Sequence, residues 1–252
     1  LTLWMSIMKT KLANWPAPKN ITALSTTRLS GFSQFPYDSN NLGLAVGDNE
    51  HHVIQNRQQL IEYLHLPGEP QWLRQTHSTH CVLVEEDSNR DADASISRSG
   101  KHPLVILTAD CLPITLCNKQ GNEIAAIHAG WRGLVNGIVE NTLSKMHSKA
   151  SDLLAWVGPA ICQKCYEVGD EVYQTFTSKY PESKNAFKPV NSKWLANLPQ
   201  IAELVLNSCG INAVYQSGLC TFELENELYS YRRNSQTGRI GTLIWFNNQP
   251  QD

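Results

Sequence analysis

Apolar runs of four to six residues recur along this sequence and limit what it can fold into. They fall at Trp72–His77, Cys81–Glu85, Leu104–Thr108, Ile114–Cys117, Glu123–His128, Leu153–Val157, Ala213–Gln216 and Gly241–Phe246. Segments this short, apolar and often β-branched predict buried strands. Helical spacing occurs in three places. Val53, Ile54, Arg57, Leu60, Ile61 and Leu64 share one face, with Asp48 placed to cap the start. Leu134, Val135, Ile138, Val139, Thr142, Leu143 and Met146 form a second pattern, and Leu195, Leu198, Ile201, Ala202, Val205, Leu206 and Cys209 a third. The strands outnumber the helices and do not alternate strictly with them. That order predicts an α+β fold with mixed sheets rather than a doubly wound parallel sheet. No linker, repeat or low-complexity tract divides the 252 residues, so a single domain is expected.

Composition excludes several classes of function. Hydrophobic residues at 41% and charged residues at 17% supply a sizeable core and argue against disorder. A net charge of -2, from 21 basic and 23 acidic residues, gives no electrostatic footprint for nucleic acid. No apolar stretch approaches the roughly 18–20 residues needed to span a bilayer. The N-terminal LTLWMSIMKTKL lacks the basic region and cleavage site of a signal peptide. Seven cysteines, Cys81, Cys111, Cys117, Cys162, Cys165, Cys209 and Cys220, are an odd set for a disulfide scaffold. Free thiols in a reducing cytoplasm are expected.

Three polar residues stand at the ends of strand-like runs, where a rigid sheet fixes a side chain and a loop gives access to it. They are His77 in WLRQTH, Cys111 after LVILTAD, and His128 in EIAAIH. Two imidazoles and a thiolate suit zinc, and three protein ligands leave a fourth position open, as in catalytic sites. Spacing alone also allows two satisfied core histidines and a buried thiol. In HAGWRGLVNGIVENT, Gly130 and Gly133 flank Arg132 and a helix follows, which suits an anion seat or an ordinary strand-to-helix turn. SYRRNSQTGRI places Arg232, Arg233 and Arg239 near Tyr231; one arginine could reach substrate while its neighbour pairs structurally. Cys162 and Cys165 form a C-x-x-C with no partner pair in sequence, and no role is assigned to it.

The motifs together resemble the YfiH-like family, known variously as laccase-domain polyphenol oxidases, purine nucleoside phosphorylases and peptidoglycan editing factors. The segments that carry the resemblance are TTRLSGFS (26–33), NLGLAVGD (41–48), NR (56–57), LRQTHS (73–78), DADA (91–94), TADCLPI (108–114), HAGWRG (128–133), GPAI (158–161), CYEVG (165–169) and YSYRRNSQTGR (229–239). The resemblance implies a single layered α/β/β/α domain over residues 21–247, with an extension before it (1–20) and a tail after it (248–252). It implies zinc, with copper as an alternative, held by His77, Cys111 and His128. It implies phosphorolysis of adenosine, inosine and methylthioadenosine, with adenosine deamination also open. Asp110 and Arg132 are expected in catalysis beside Cys111, and Asn41, Arg57, Gln75, Arg232 and Arg233 in substrate binding. Purine nucleosides and phosphate are the expected partners, with neither nucleic acid nor membrane. Ser30, Ser78, Asn197 and Cys162-Gln163-Lys164 depart from the family pattern without touching the three ligands.

The laccase label conflicts with the ligand count. True laccases use about ten copper-ligating histidines, typically in His-x-His pairs, in keeping with copper's affinity for imidazole. This chain has 8 histidines and no such pair, which rules out a four-copper site. Two other readings use the same sequence. A cysteine hydrolase acting on peptidoglycan precursors would employ Cys111 as nucleophile with a histidine base. A non-catalytic binding partner would need neither.

Overall fold

The structure, a computed structural model, describes residues 8–247. The expected tail and the first residues of the expected extension lie outside the described residues. The chain opens with β1 (Thr10–Leu12), β2 (Ile21–Thr26) and α1 (Glu50–Leu64). Next come β3 (Cys81–Leu83), β4 (Ala94–Ser97), β5 (Leu104–Thr108), β6 (Leu112–Asn118) and β7 (Ile124–Ala129). Two short helices follow, α2 (Trp131–Asn136) and α3 (Ile138–Lys145), then β8 (Leu153–Val157) and β9 (Glu167–Val168). The last part holds α4 (Asp170–Lys179), β10 (Phe187–Val190), β11 (Lys193–Ala196), α5 (Leu198–Ser208), β12 (Ala213–Gln216) and β13 (Ile240–Phe246).

An antiparallel sheet of order β1-β2-β13-β5 and a mixed sheet of order β12-β8-β6-β7-β4-β3 make the body of the domain. Period-two alternation sorts their side chains into three cores. Ile106, Cys117, Ile124, Ala126, Leu154 and Ile244 fill the space between the sheets. Val105, Leu243 and Trp245, one residue out of phase, face outward with Leu60 of α1. On the far side Ile114, Leu116, Ala125 and Ile127 meet Leu134, Ile138 and Val139 of α2 and α3, and Ile201 and Val205 of α5. The expected α/β/β/α layering and mixed sheets are therefore present. A third small sheet, β10-β11-β9, lies beside them. Among the described residues no helix is long and apolar enough to cross a membrane.

Several expectations change in detail. Asp48 does not cap α1. Asn49 does, its side chain accepting the His51 N–H at 2.9 Å, while Asp48 accepts from Asn49 N and from Asn41 Nδ2. The helix expected over 134–146 is two helices, because Gly137 adopts φ 103° and ends α2 with a left-handed turn. Leu195 belongs to β11 rather than to the third helix. Trp72–His77 is not a strand: the Gln75 side-chain amide bonds both Leu107 O and Leu107 N at 2.8 Å, taking the place of a neighbouring strand's backbone beside β5. Part of the segment expected as an extension joins the fold, since β1 pairs with β2.

Candidate metal and substrate site

The turn Ala109–Cys111 carries the chain from one sheet to the other, and Asp110 makes that crossing at φ 91°, a backbone region costly for a non-glycine residue. Its carboxylate holds the turn in place. It accepts the Thr221 hydroxyl at 2.6 Å, the Ser230 hydroxyl at 3.0 Å and the Arg232 N–H at 2.6 Å. Cys111 is thereby presented between the layers, beside His128 at the end of β7. The third residue, His77, sits in a turn at φ 60°.

Asp93, fully buried at the head of β4, organises both histidines. Its carboxylate accepts the backbone N–H groups of Thr76, His77 and Ser78 at 3.2, 3.0 and 2.6 Å, and the Ser78 hydroxyl at 2.7 Å. The same carboxylate accepts from His128 Nδ1 at 2.7 Å. One buried acid thus fixes the backbone of one histidine and the ring of the other, leaving His128 Nε2 to face Cys111. Burial alone would raise the Asp93 pKa, but the bonds from His128 and Ser78 prevail and hold it at about 2.

His77, Cys111 and His128 offer ligand atoms that all lie within 4.8 Å of one another. Cys111 Sγ is 3.7 Å from His77 Nε2, and the two imidazoles meet edge to face at 4.7 Å between centroids. Burial disfavours the Cys111 thiolate, yet hydrogen bonds from His128 and His77 outweigh it and lower its pKa to about 6. For His128 burial disfavours the imidazolium, and the bonds to Asp93 and Cys111 overcome that and raise its pKa to about 9. A thiolate is therefore ready to ligate near neutral pH. Gly130 closes the site from behind: a Cβ there would stand 2.7 Å from His77 Cδ2 and 3.2 Å from Cys111 Sγ. The donor set, its spacing and this glycine all fit a zinc ion, and equally copper.

A cavity of about 840 Å³ opens over the three donors, within the range of small-molecule sites. Trp72, Trp131, Tyr166 and Tyr231 give it flat apolar walls, and Arg57, Arg132, Arg232 and Arg239 give it positive charge within a chain of net charge -2. Arg57 spends Nε and Nη2 on Leu42 O while lying 3.8 Å over the Trp72 ring. Arg132 lies 4.3 Å over Trp131 and pairs with no carboxylate among the described residues. Arg232 lies 5.1 Å over Tyr166. Gln75 and Asp110 also line the cavity, with their polar atoms engaged as described.

Asn41 and Arg233 do not line it, contrary to expectation. Asn41 is fully buried, donating to Gly43 O and Asp48 and accepting from the N–H groups of Gly43 and Arg239. Arg233 donates to the carbonyls of Thr221, Phe222 and Leu228, all within 2.9 Å. Both are framework. Sequence patterning gave no role to Asp93; its one signal is an acid flanked by Ala92 and Ala94 at the start of a buried run.

Comparison with known proteins shows the family. The sequence pattern of the family described as multi-copper polyphenol oxidoreductase laccase matches residues 22–247. The chain belongs to this laccase-like family. A Haemophilus influenzae relative named purine nucleoside phosphorylase is 45% identical over 237 residues, covering 92% of this chain and 97% of that one. A Pseudomonas aeruginosa relative, also named a purine nucleoside phosphorylase, is 42% identical over 236 residues, covering 92% and 96%. The crystal structure of a Neisseria meningitidis protein, 40% identical, superposes with a TM-score of 0.91 over 96% of this chain and 100% of that one. In this laccase-like chain His77 and His128 are the only histidines that enter a potential metal cluster among the described residues. A four-copper arrangement has no counterpart there.

Proposed function

We propose that the chain is a metal-dependent purine nucleoside phosphorylase, acting in the cytoplasm on adenosine, inosine and methylthioadenosine. The observation that carries this reading is one cavity combining a three-donor cluster, unpaired arginine charge and aromatic walls. The names of the relatives support it. Phosphorolysis joins a phosphate oxygen to the anomeric carbon while the bond to the purine nitrogen breaks and the purine takes up a proton. Arg132 and Arg232 both line the cavity, over Trp131 and Tyr166 respectively, and hold the phosphate; a guanidinium fork suits its oxygens. Tyr166, Tyr231 and Trp131 offer faces for the purine. Asp110 acts by position, setting the Arg232 backbone and the Cys111 turn. Zinc or copper held by His77, Cys111 and His128 would add Lewis-acid charge at the reacting oxygen.

The test is incubation of zinc-loaded protein with inosine, with and without phosphate. Phosphate-dependent release of hypoxanthine and ribose 1-phosphate is expected, and its absence overturns the reading. Conversion of adenosine to inosine without phosphate would show that the same cavity deaminates. Cys111→Ser should lose zinc and turnover together, because a hydroxyl is far harder to deprotonate than a thiol.

One observation favours a second reading. Asp93, His128 and Cys111 stand in the order orienter, base, nucleophile, with Asp93 Oδ1 2.7 Å from His128 Nδ1. A cysteine hydrolase built on them would act without metal and be inactivated by one equivalent of a thiol alkylator. The phosphorylase should instead be silenced by a chelator, and zinc should protect Cys111 from alkylation.

A further inference from the structure

The C-x-x-C without a sequence partner has a partner in space. Cys220 arrives from the segment after β12 and brings its sulfur to Cys162 and Cys165. The three Sγ atoms lie within 4.8 Å of one another, away from the cavity that holds Cys111. Cys162 precedes a single 3-10 turn, Gln163–Cys165, whose Cys165 N–H bonds Cys162 O at 3.1 Å and folds the two thiols to one side. Cys220 Sγ accepts the Cys162 N–H at 3.3 Å, a backbone bond of the kind that steadies a ligating sulfur.

From this arrangement we propose that Cys162, Cys165 and Cys220 form a second metal site, specific for a thiophilic closed-shell ion such as zinc or copper(I). The spacing fits. Two metal–sulfur bonds of about 2.3 Å meeting at a tetrahedral angle span about 3.8 Å, and Cys162 Sγ lies 3.7 Å from Cys165 Sγ. A disulfide needs roughly 2.05 Å, so the two sulfurs as placed are not bonded to each other. Softness selects the ion, since thiolates favour zinc and copper(I) over hard cations.

Cys162 also borders a cleft of about 350 Å³ that carries Lys164 and Lys188 and from which a fourth ligand can enter.

The place of the site in the fold gives it a task. Ala160 N bonds Leu219 O, and Thr221 N bonds Ala160 O, so the 160–166 loop and the Cys220 segment already touch. The two strands of chain also hold Asp110, through Ile161 N to its carbonyl and the Thr221 hydroxyl to its carboxylate. An ion on the three thiols cross-links them and braces the turn that presents Cys111.

Reduced full-length protein should be titrated with cadmium, read by the ultraviolet thiolate-to-metal absorption and by metal content after desalting. Wild-type protein is expected to retain two equivalents, Cys111→Ser one, and a Cys162→Ser/Cys165→Ser double variant one. The single equivalent in Cys111→Ser must keep thiolate absorption. If the double variant does not fold, Cys162→Ser alone should weaken that equivalent by at least about 100-fold, since the site has no spare ligand. Displacement of this cadmium by zinc or by copper(I) supports the site and names its ion; displacement by neither overturns it. So does a Cys111→Ser protein that retains no cadmium, or a Cys162–Cys165 disulfide that forms as readily with cadmium present as without. Failure of phosphorolysis leaves this result untouched, because no step of the titration depends on turnover.

Discussion

Gly130→Ala is the sharpest test of the metal site, because it alters the site without removing a ligand. Gly130 has φ -56° and ψ 155°, which any L-residue adopts, so alanine carries no backbone penalty. Alanine also restricts the unfolded chain, a gain of about 0.4–1 kcal/mol. The cost falls entirely on the new Cβ, which would lie 2.7 Å from His77 Cδ2 and 3.2 Å from both His77 Nε2 and Cys111 Sγ. Ordinary carbon–carbon contact begins near roughly 3.5 Å, so the imidazole must retreat by most of an ångström. Its backbone cannot follow, since Asp93 holds the N–H groups of Thr76, His77 and Ser78. Only the ring can swing, which takes its Nε2 out of its present place beside Cys111. Displacements of ligand orientation typically cost 10–100-fold in metal affinity, or about 1.4–2.7 kcal/mol. Competition against a chromogenic chelator measures this directly, and the melting temperature of metal-free protein should stay within about 2 °C of wild type. A Gly130→Ala protein that binds zinc within threefold of wild type would show that His77 is not a ligand. Loss of zinc together with a large fall in metal-free stability would place the clash elsewhere than argued.

Further outcomes follow from the same geometry. Zinc binding at pH 7 should release about one proton per ion, because metal-free His128, raised to about 9, carries a proton that Nε2 must give up, whereas Cys111, lowered to about 6, is already mostly a thiolate. Affinity should therefore rise about tenfold per pH unit between 6 and 9 and more steeply below 6, and calorimetry in buffers of different ionisation enthalpy that finds no proton release would contradict it. Arg132→Lys should raise the KM for phosphate about tenfold or more while zinc content stays full, since lysine keeps the charge but loses the fork; an unchanged KM makes Arg132 structural. Arg233→Ala should lower stability by about 2 kcal/mol, roughly 4–8 °C in Tm, through the three carbonyls left without a donor. Its KM for phosphate should not move, and a tenfold rise at unchanged Tm would return Arg233 to the site.

The residues that sequence patterning finds and misses differ in a physical way. Runs with apolar side chains on both faces, such as Leu104–Thr108 and Leu153–Val157, read directly as β5 and β8 because both faces are buried. β2 (ITALST) and β4 (ASIS) are buried as deeply but escape notice, because their serines and threonines look like loop. Some of these polar side chains find partners far away in sequence, as where Ser25 meets Thr242 across the sheet at 3.1 Å, and Ser97 bonds Glu85 at 2.6 Å. The same distinction governs the site. His77, Cys111 and His128 stand out because each ends an apolar run, a local signal. Asp93 does not, because its function is to accept bonds from residues 15 to 17 positions before it and from His128, 35 positions after it. The three thiols repeat the pattern: Cys162 and Cys165 are visible as C-x-x-C, while Cys220 lies 55 residues beyond Cys165 and joins them only in the fold, at the Ala160–Cys220 bridge and the Cys162 N–H bond to its sulfur. Periodicity records how one element meets a core. A ligand or a positioning acid is defined where several elements cross, and in this chain the crossing is the Ala109–Cys111 turn, held by groups from Ile161, Thr221, Ser230 and Arg232. Loss of the Thr221 or Ser230 hydroxyl should therefore act on the metal site through Asp110 rather than through contact with the ion.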